Sequence, residues 1–168
     1  MESLYYSRMS SPAGPLLMGM SDSALVVLEF DRGLPQTIAG QPVAWRESQD
    51  HTIALRRQLE EYFAGKRRTF DLKLDLRGTD FRKRCWQELL SIPYGETRSY
   101  AEIARSVDNP KASRAVGQAN HHNPIAIIIP CHRVLATGGT LGGYGGGLDV
   151  KAFLLKLEGA RFREPKFV

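Results

Sequence analysis

The sequence predicts a mixed α+β fold, an α/β chain with a small N-terminal antiparallel sheet and helices, followed by a mostly helical C-terminal part. Three short apolar runs at residues 4–9, 16–20 and 25–30 are separated by turn-forming residues, as strands are. Apolar residues then recur at helical spacing in several later segments. The length of 168 residues suits one large domain or two small ones, and we place the domains at residues 1–76 and 80–168.

The N-terminal part contains one clear helical pattern. Leucine and aromatic residues at helical spacing predict a helix over residues 52–64, which Gly65 would end. Alternating leucines over residues 72–76 could form one last strand before the second domain.

A new amphipathic helix is predicted after Asp80 and should end before Pro93. Cys85 falls on its apolar face, so we interpret Cys85 as a buried thiol.

Two short helices follow, joined by a turn. Ser99 and Glu102 form a capping box that predicts a helix from Ser99 to about residue 107, and a second helix should span residues 112–120. Such a pair is typical of a helix-turn-helix. The second helix consists mainly of small residues. Its Gly117 lowers the stability of the helix by about 1 kcal/mol relative to alanine. Close approach of a DNA strand or of a neighbouring helix would each explain this composition.

The last third predicts a buried strand, a glycine-rich loop and a final helix. The apolar run at residues 125–129 should form the strand and lead directly to Cys131. The loop at residues 138–147 has no Gly-Lys-Ser/Thr ending, which excludes a nucleotide-binding P-loop. The helix at residues 149–158 should turn Phe153, Leu154 and Leu157 towards the core.

Composition narrows the function classes. A net charge of +5 favours polyanionic partners, although an ordinary basic enzyme could carry the same charge. No apolar run approaches the length of a membrane span, and no secretion signal is recognisable, so we expect a cytoplasmic protein without membrane association. Cys85 and Cys131 lie too far apart for a metal motif, so we expect two thiols, no metal and no cofactor.

Cys131 is the candidate nucleophile, and His132 follows it directly. A thiolate is a strong nucleophile when nearby cations or hydrogen bonds stabilise it. The pair alone is a weak signal, because a structural cysteine beside an exposed histidine would look the same.

The wider pattern is more specific. Residues 130–134 (Pro-Cys-His-Arg-Val), preceded by Asn123-Pro124, resemble the active-site signature of the O6-alkylguanine-DNA alkyltransferases. The resemblance is strong over residues 81–159 and looser at residues 11–16 and 61–65. It implies an N-terminal ribonuclease-H-like domain and a C-terminal winged-helix-like domain that contains the helix-turn-helix and the active site.

The resemblance also implies a reaction. The protein would flip an O6-alkylguanine, and also an O4-alkylthymine, out of double-stranded DNA and transfer the alkyl group irreversibly to Cys131. Glu158 would orient His132, which would deprotonate Cys131 through water, while Tyr100 would donate a proton to the leaving base. Asn123 would fix the turn that leads to the active-site segment.

Further residues receive roles by the same resemblance. Val134, Tyr144 and Gly145 would form the base pocket, and Gly145 stands where many relatives have serine. Arg114 would fill the gap left by the flipped base. The other residues expected to bind DNA are Ser113, Ala115, Gly117, Gln118 and Tyr100. We expect a monomer, which could still assemble along DNA.

Three other functions remain open at this stage. A sensor could bind alkylated bases without reacting, although such relatives lack the cysteine. A Cys-His hydrolase would need an oxyanion hole, for which no motif is visible. A transcription regulator could use the helix pair alone.

Overall fold

The computed structural model describes residues 1–164, so residues 165–168 of the predicted C-terminal domain lie outside the described part. The chain divides into two compact units. The first comprises Met1–Gly78 with Pro124–Ala126, and the second comprises Thr79–Asn123 with the chain from Ile127 onward.

The first unit is built from five strands and one helix. These are β1 (Glu2–Met9), β2 (Leu16–Met20), β3 (Leu25–Phe30), β4 (Thr37–Ile38), β5 (Gln41–Glu47) and α1 (Gln49–Phe63). The strand order is β3-β2-β1-β5-β4. The mixed α+β class is therefore confirmed, and β2 and β3 have the predicted bounds.

The prediction of a purely antiparallel sheet is wrong for one pair, because β1 and β5 run parallel. The remaining pairs, β1–β2, β2–β3 and β4–β5, are antiparallel. The sequence did not reveal β5, since this strand contains Pro42 and lacks a clean apolar alternation. The chain returns to the free edge of β1 only after passing through β2, β3 and β4, and that return sets the parallel direction.

Local signals explain the bounds of α1. The Ser48 side chain accepts a hydrogen bond from the His51 backbone N–H at the start of the helix. Leu55, Leu59 and Tyr62 are buried, and Gly65 follows the helix with a φ of +74°. The expected strand at residues 72–76 is absent, since within this segment only Leu74 forms an isolated bridge, to Leu25.

The second unit contains four helices and one short strand pair in its described part. The elements are α2 (Asp80–Leu90), β6 (Arg98–Ser99), α3 (Tyr100–Ser106), α4 (Ser113–His121), β7 (Val134–Leu135) and α5 (Leu148–Leu157). A short 3₁₀ turn occurs at Cys131–Arg133. Strands β6 and β7 pair in parallel.

The helix pair forms as predicted. Both hydrogen bonds of the Ser99–Glu102 capping box are present at the start of α3. Cys85 is fully buried on α2, which confirms its interpretation as a core thiol. The neighbouring Trp86 donates its indole N–H to the Ala119 carbonyl at 2.8 Å, so α2 packs on α4. Close helix packing therefore accounts for the small residue Ala119, whereas Ala115 on the same helix is exposed.

The predicted strand at residues 125–129 is wrong. Ile125 makes an isolated bridge to Leu28, and the chain then turns, with Ile127 at a φ of +71°. All five residues are nevertheless buried. An apolar run indicates that the residues are buried, but it does not distinguish a β-strand in a sheet from a buried turn.

One face of α5 is buried, but it is not quite the predicted face. Lys151, Leu154 and Leu155 are buried, whereas Phe153 is 37% exposed. The helical period brings residues 151, 154, 155 and 158 to one side, and Phe153 lies away from it. Within the described residues, no helix has the length and apolar character that crossing a membrane requires.

Candidate active site

Cys131 begins the 3₁₀ turn Cys131–Arg133 and is 7% exposed. The Asn123 side-chain amide donates one hydrogen bond to Cys131 Sγ at 3.1 Å and another to the Ile129 carbonyl at 2.8 Å. Asn123 therefore spans the turn and fixes the position of the sulfur.

Burial raises the pKa of the Cys131 thiol, and the Asn123 hydrogen bond and the Lys151 charge act in the opposite direction. Because desolvation outweighs both, Cys131 is protonated at neutral pH. A nucleophilic role then requires a neighbouring base.

Glu158 joins the two residues that follow Cys131. His132 Nε2 lies 2.8 Å from one carboxylate oxygen of Glu158, and both side chains are fully buried. Arg133 donates Nε to the other oxygen at 2.7 Å and Nη2 to the first at 3.1 Å. Burial alone would raise the pKa of Glu158, but the hydrogen bonds from His132 and Arg133 lower it to about 2. The group is therefore a carboxylate at neutral pH.

This carboxylate determines the tautomer of His132. Since an ionised carboxylate only accepts hydrogen bonds, His132 Nε2 must carry the proton. Burial lowers the pKa of His132, and the contact with Glu158 opposes that shift only in part. Nδ1 of the neutral ring thus presents a lone pair, and it is buried without a hydrogen-bonding partner among residues 1–164. The ring is arranged to accept a proton at Nδ1.

Tyr100, the residue predicted to donate a proton, is the first residue of α3. Burial raises its pKa, the charge of an ionised Cys131 would raise it further, and a hydrogen bond from the Gly143 backbone opposes the shift. Because its pKa is raised, the phenol is neutral at physiological pH. Gly142 packs so closely against the ring that a Cβ atom there would lie 3.1 Å from Tyr100 Oη.

The predicted pocket residues lie on the segments around this centre. Val134 is fully buried in β7. Tyr144 is half-buried, and desolvation of its phenol raises the pKa well above the usual value. Gly145 is exposed, and a Cβ added there would meet no atom within 4 Å. A serine at this position would therefore fit without displacing a neighbour.

A groove of about 970 Å³ runs between α3, α4 and the segment from Leu135 to Gly139. Five of the six residues predicted to bind DNA line it: Tyr100, Ser113, Arg114, Gly117 and Gln118. Ala115 does not line the groove, and neither do Cys131, Val134, Tyr144 or Gly145. The groove also exposes Arg98 and Arg105, which the sequence did not single out.

The comparisons with known proteins cover nearly the whole chain. Residues 4–76 match the ribonuclease-like domain of 6-O-methylguanine DNA methyltransferases, and residues 80–160 match their DNA-binding domain. A methylated-DNA–protein-cysteine methyltransferase of Methanosarcina acetivorans is 50% identical over 157 residues, covering 94% of this chain and 99% of that protein. The chain belongs to the methylated-DNA–protein-cysteine methyltransferase family.

Other members of this methyltransferase family are equally similar. The protein of that name from Mycobacterium tuberculosis is 50% identical over 158 residues, which cover 94% of each chain. The crystal structure of M. tuberculosis OGT in complex with DNA has a TM-score of 0.83 and 50% identity, with 92% of each chain covered. The O6-methylguanine methyltransferase of the same organism, solved separately, also gives a TM-score of 0.83 at 47% identity.

Two residues of this methyltransferase's site were not assigned from sequence. They are Arg133, which directly follows the Cys-His pair, and Lys151, which lies within the last predicted helix. Helical phase could have identified Lys151, since it shares the buried face of α5 with Leu154 and Leu155. No local signal indicates that Arg133 pairs with Glu158, because the two residues are 25 positions apart.

Proposed function

We propose that this methyltransferase repairs alkylated double-stranded DNA by transferring the alkyl group of an O6-alkylguanine irreversibly to Cys131. The observation that carries the proposal is the arrangement of Cys131, His132 and Glu158. A protonated thiol, a neutral imidazole with one nitrogen lone pair and a buried carboxylate follow the logic of nucleophile, base and orienting group. Membership of the family supports it.

In the proposed reaction, the Cys131 thiol proton passes to His132 Nδ1 through a water molecule. The new S⁻ electron pair attacks the saturated carbon on O6, forming a C–S bond as the C–O bond breaks. Both electrons of the C–O bond remain on the guanine. The resulting imidazolium is stabilised by Glu158, which Arg133 keeps ionised.

The leaving base carries a negative charge that a proton donor would stabilise. Tyr100 is protonated and lines the groove, so we assign the donor role to it. Because the product is a thioether, hydrolysis does not regenerate the thiol, and each molecule acts once.

The proposal includes base flipping, because the target oxygen is inaccessible in a stacked duplex. Arg114 is exposed on α4 in the groove and can occupy the space that the extruded base leaves. O4-alkylthymine presents the same kind of carbon and is proposed as a second substrate. We further propose that residues 1–76 and 80–168 are separate domains and that the protein reacts as a monomer without a cofactor.

The test is the intact mass of the protein after incubation with duplex DNA that contains one O6-methylguanine. We expect each molecule to gain one methyl group in place of one proton, mapped to Cys131 and saturating at one per chain. Cys131→Ser should bind the DNA without any gain. Binding by the unsubstituted protein without a gain would instead indicate a sensor, and alkylation of another residue would contradict the assignment of Cys131.

A further inference from the structure

The net positive charge of the chain lies entirely in its second half. Residues 1–78 contain ten basic and ten acidic residues, so the excess of +5 comes from residues 79–168. Part of this excess is concentrated in one place, because Arg98, Arg105 and Arg114 all line the groove between α3 and α4. A groove with this charge attracts a polyanion.

Within the described part of the chain, the groove has a single acidic residue to set against these three arginines. Glu102 lines the groove, and its carboxylate accepts a hydrogen bond from the Ser99 backbone N–H at 3.2 Å. That hydrogen bond belongs to the capping box of α3, so it directs the carboxylate towards the start of the helix. Two positive charges of the groove are therefore left for a ligand.

Arg105 is one of the two groove cations next to α3. It lies exposed in the last turn of that helix, and it forms no ion pair with another residue of 1–164. The helix dipole favours a cation at this end. The dipole alone does not explain why the side chain lines the same groove as Arg114.

Arg98, which precedes α3, is the other. Its Nη1 lies 3.5 Å from a carboxylate oxygen of Glu96, and the two side chains are 36% and 55% exposed. An exposed ion pair contributes little to stability, because water competes for both charges. Glu96 itself does not line the groove. A phosphate in the groove can therefore replace Glu96 as the partner of Arg98.

The spacing of the two arginines fits one DNA strand. They are seven positions apart in the chain, and Tyr100 lies between them. At 1.5 Å per residue, this separation corresponds to about 10 Å along a helix, which is roughly the axial length of three nucleotides of one strand. An extruded base stays attached to its own strand, so the strand of a base that reaches Tyr100 must pass along α3.

We propose that Arg98 and Arg105 form an arginine pair that binds two backbone phosphates of the strand carrying the flipped base, one towards each end of α3. The arginine pair holds the strand and does not touch the reacting atoms, so its members are positioning residues. Arg114 differs from them, because it is assigned to the space inside the duplex. The choice of strand rests on the proposed function, whereas phosphate binding itself requires no alkylated base.

The first experiment measures the dissociation constant of a fluorescein-labelled duplex without any alkylated base, by fluorescence anisotropy over a series of KCl concentrations. Each phosphate contact contributes about 0.9 to the magnitude of the slope of log K against log salt concentration. We expect Arg98→Gln and Arg105→Gln each to reduce this magnitude by about one and to weaken binding roughly tenfold near 0.1 M salt.

Two controls accompany these variants. Arg105→Lys keeps the charge and should keep the slope. Arg57→Gln removes an exposed charge from α1 and should leave both the slope and the affinity nearly unchanged. The original slope in either Arg98→Gln or Arg105→Gln would overturn the proposal.

Glu96→Gln provides a test with the opposite sign. Because Glu96 competes with a phosphate for Arg98, this variant should bind the same duplex about two- to fivefold more tightly, the range that exposed ion pairs contribute. The gain should disappear when Arg98→Gln is also present. An equal gain in both backgrounds would show that Glu96 acts only through its general charge, and it would contradict a phosphate contact of Arg98.

Uncharged methylphosphonate linkages test the choice of strand. Cys131→Ser is used with duplexes that contain one O6-methylguanine, so that no reaction occurs. Neutral linkages beside the lesion in its own strand should weaken binding, and they should have no further effect when Arg98 and Arg105 are both replaced by glutamine. The same pattern in the opposite strand alone would refute the strand assignment. None of these measurements requires alkyl transfer, so their failure and a failure of the mass test are distinguishable.

Discussion

The side-chain amide of Asn123 lies 3.1 Å from Cys131 Sγ and donates a hydrogen bond to it. The same nitrogen donates to the Ile129 carbonyl at 2.8 Å, so the amide cannot rotate away without losing a second hydrogen bond. Asn123 comes two residues after the end of α4, which means that the helix lining the groove also determines the position of the sulfur.

Replacing Asn123 should therefore slow alkyl transfer. A hydrogen bond to a charged group contributes about 1.5–3 kcal/mol, so Asn123→Ala should reduce the single-turnover rate near neutral pH by roughly ten- to a hundredfold. Asn123→Asp should be slower still, because a carboxylate repels the forming thiolate. Asn109→Ala, in an exposed turn, is the control. A normal rate for Asn123→Ala would show that the hydrogen bond does not assist ionisation of the thiol.

The buried carboxylate of Glu158 should make stability depend on pH. Its pKa is lowered from 4.5 to about 2 in the folded chain, so the unfolded chain binds a proton more readily. The contribution of the Glu158 carboxylate to the stability of the folded state is fully present above pH 4.5 and is lost as the pH falls towards 2. The lowered pKa of His132 acts in the same direction, beginning below its ordinary value of 6.5.

The Glu158→Gln variant separates the contribution of the carboxylate from that of His132. It leaves Arg133 buried without its anion, which should lower the free energy of unfolding by about 3–5 kcal/mol near neutral pH. The difference in this free energy between the variant and the unsubstituted protein, measured by urea unfolding at a series of pH values, should shrink as the pH falls below 4.5. Glu60→Gln, at an exposed position of α1, should show no such trend. A difference that stays constant with pH would contradict an ionised Glu158.

Features with local causes could be predicted from the sequence. The capping box at Ser99 and Glu102 specifies its own two hydrogen bonds, and the start of α3 follows from them. The bounds of β2 and β3 follow from apolar runs between turns. The resemblance to the family also identified Cys131, His132 and Glu158 as candidate active-site residues, although His132 and Glu158 are 26 positions apart.

The remaining features depend on contacts between distant segments. Strand β5 forms because β1 offers it an edge, and its own residues show little strand pattern. The buried turn at residues 125–129 looks like a strand because both require apolar residues. Lys151 resembles any helical lysine until the carbonyls of Val134, Leu141 and Gly143 surround it.

Arg114 provides a test of base flipping. If its side chain fills the gap left by the extruded base, Arg114→Ala should slow transfer from duplex DNA by roughly ten- to a hundredfold, since extrusion costs a few kcal/mol. Reaction with free O6-benzylguanine base, which needs no extrusion, should be nearly unchanged. Arg57→Ala removes the same charge from an exposed position on α1 and serves as the control. Equal losses on both substrates would exclude the flipping role.

The packing of Gly142 against Tyr100 can be tested with a matched pair of alanine variants. Gly142 and Gly138 both have positive φ values, +68° and +75°, so alanine is strained at either position by roughly 1 kcal/mol or more. Only at residue 142 would the new Cβ also meet a neighbour at close range, namely Tyr100 Oη at 3.1 Å, whereas at residue 138 it meets nothing within 4 Å.

Both variants should therefore lose similar backbone stability, but only Gly142→Ala should displace the phenol. We expect Gly142→Ala to slow the reaction with free O6-benzylguanine clearly more than Gly138→Ala does, while thermal unfolding shows comparable losses. Tyr100→Phe removes the proposed donor, so the Gly142→Ala change should have little further effect in that background. If the reductions in rate caused by Gly142→Ala and Tyr100→Phe instead added in full, Gly142 would influence the reaction by a route other than the position of Tyr100.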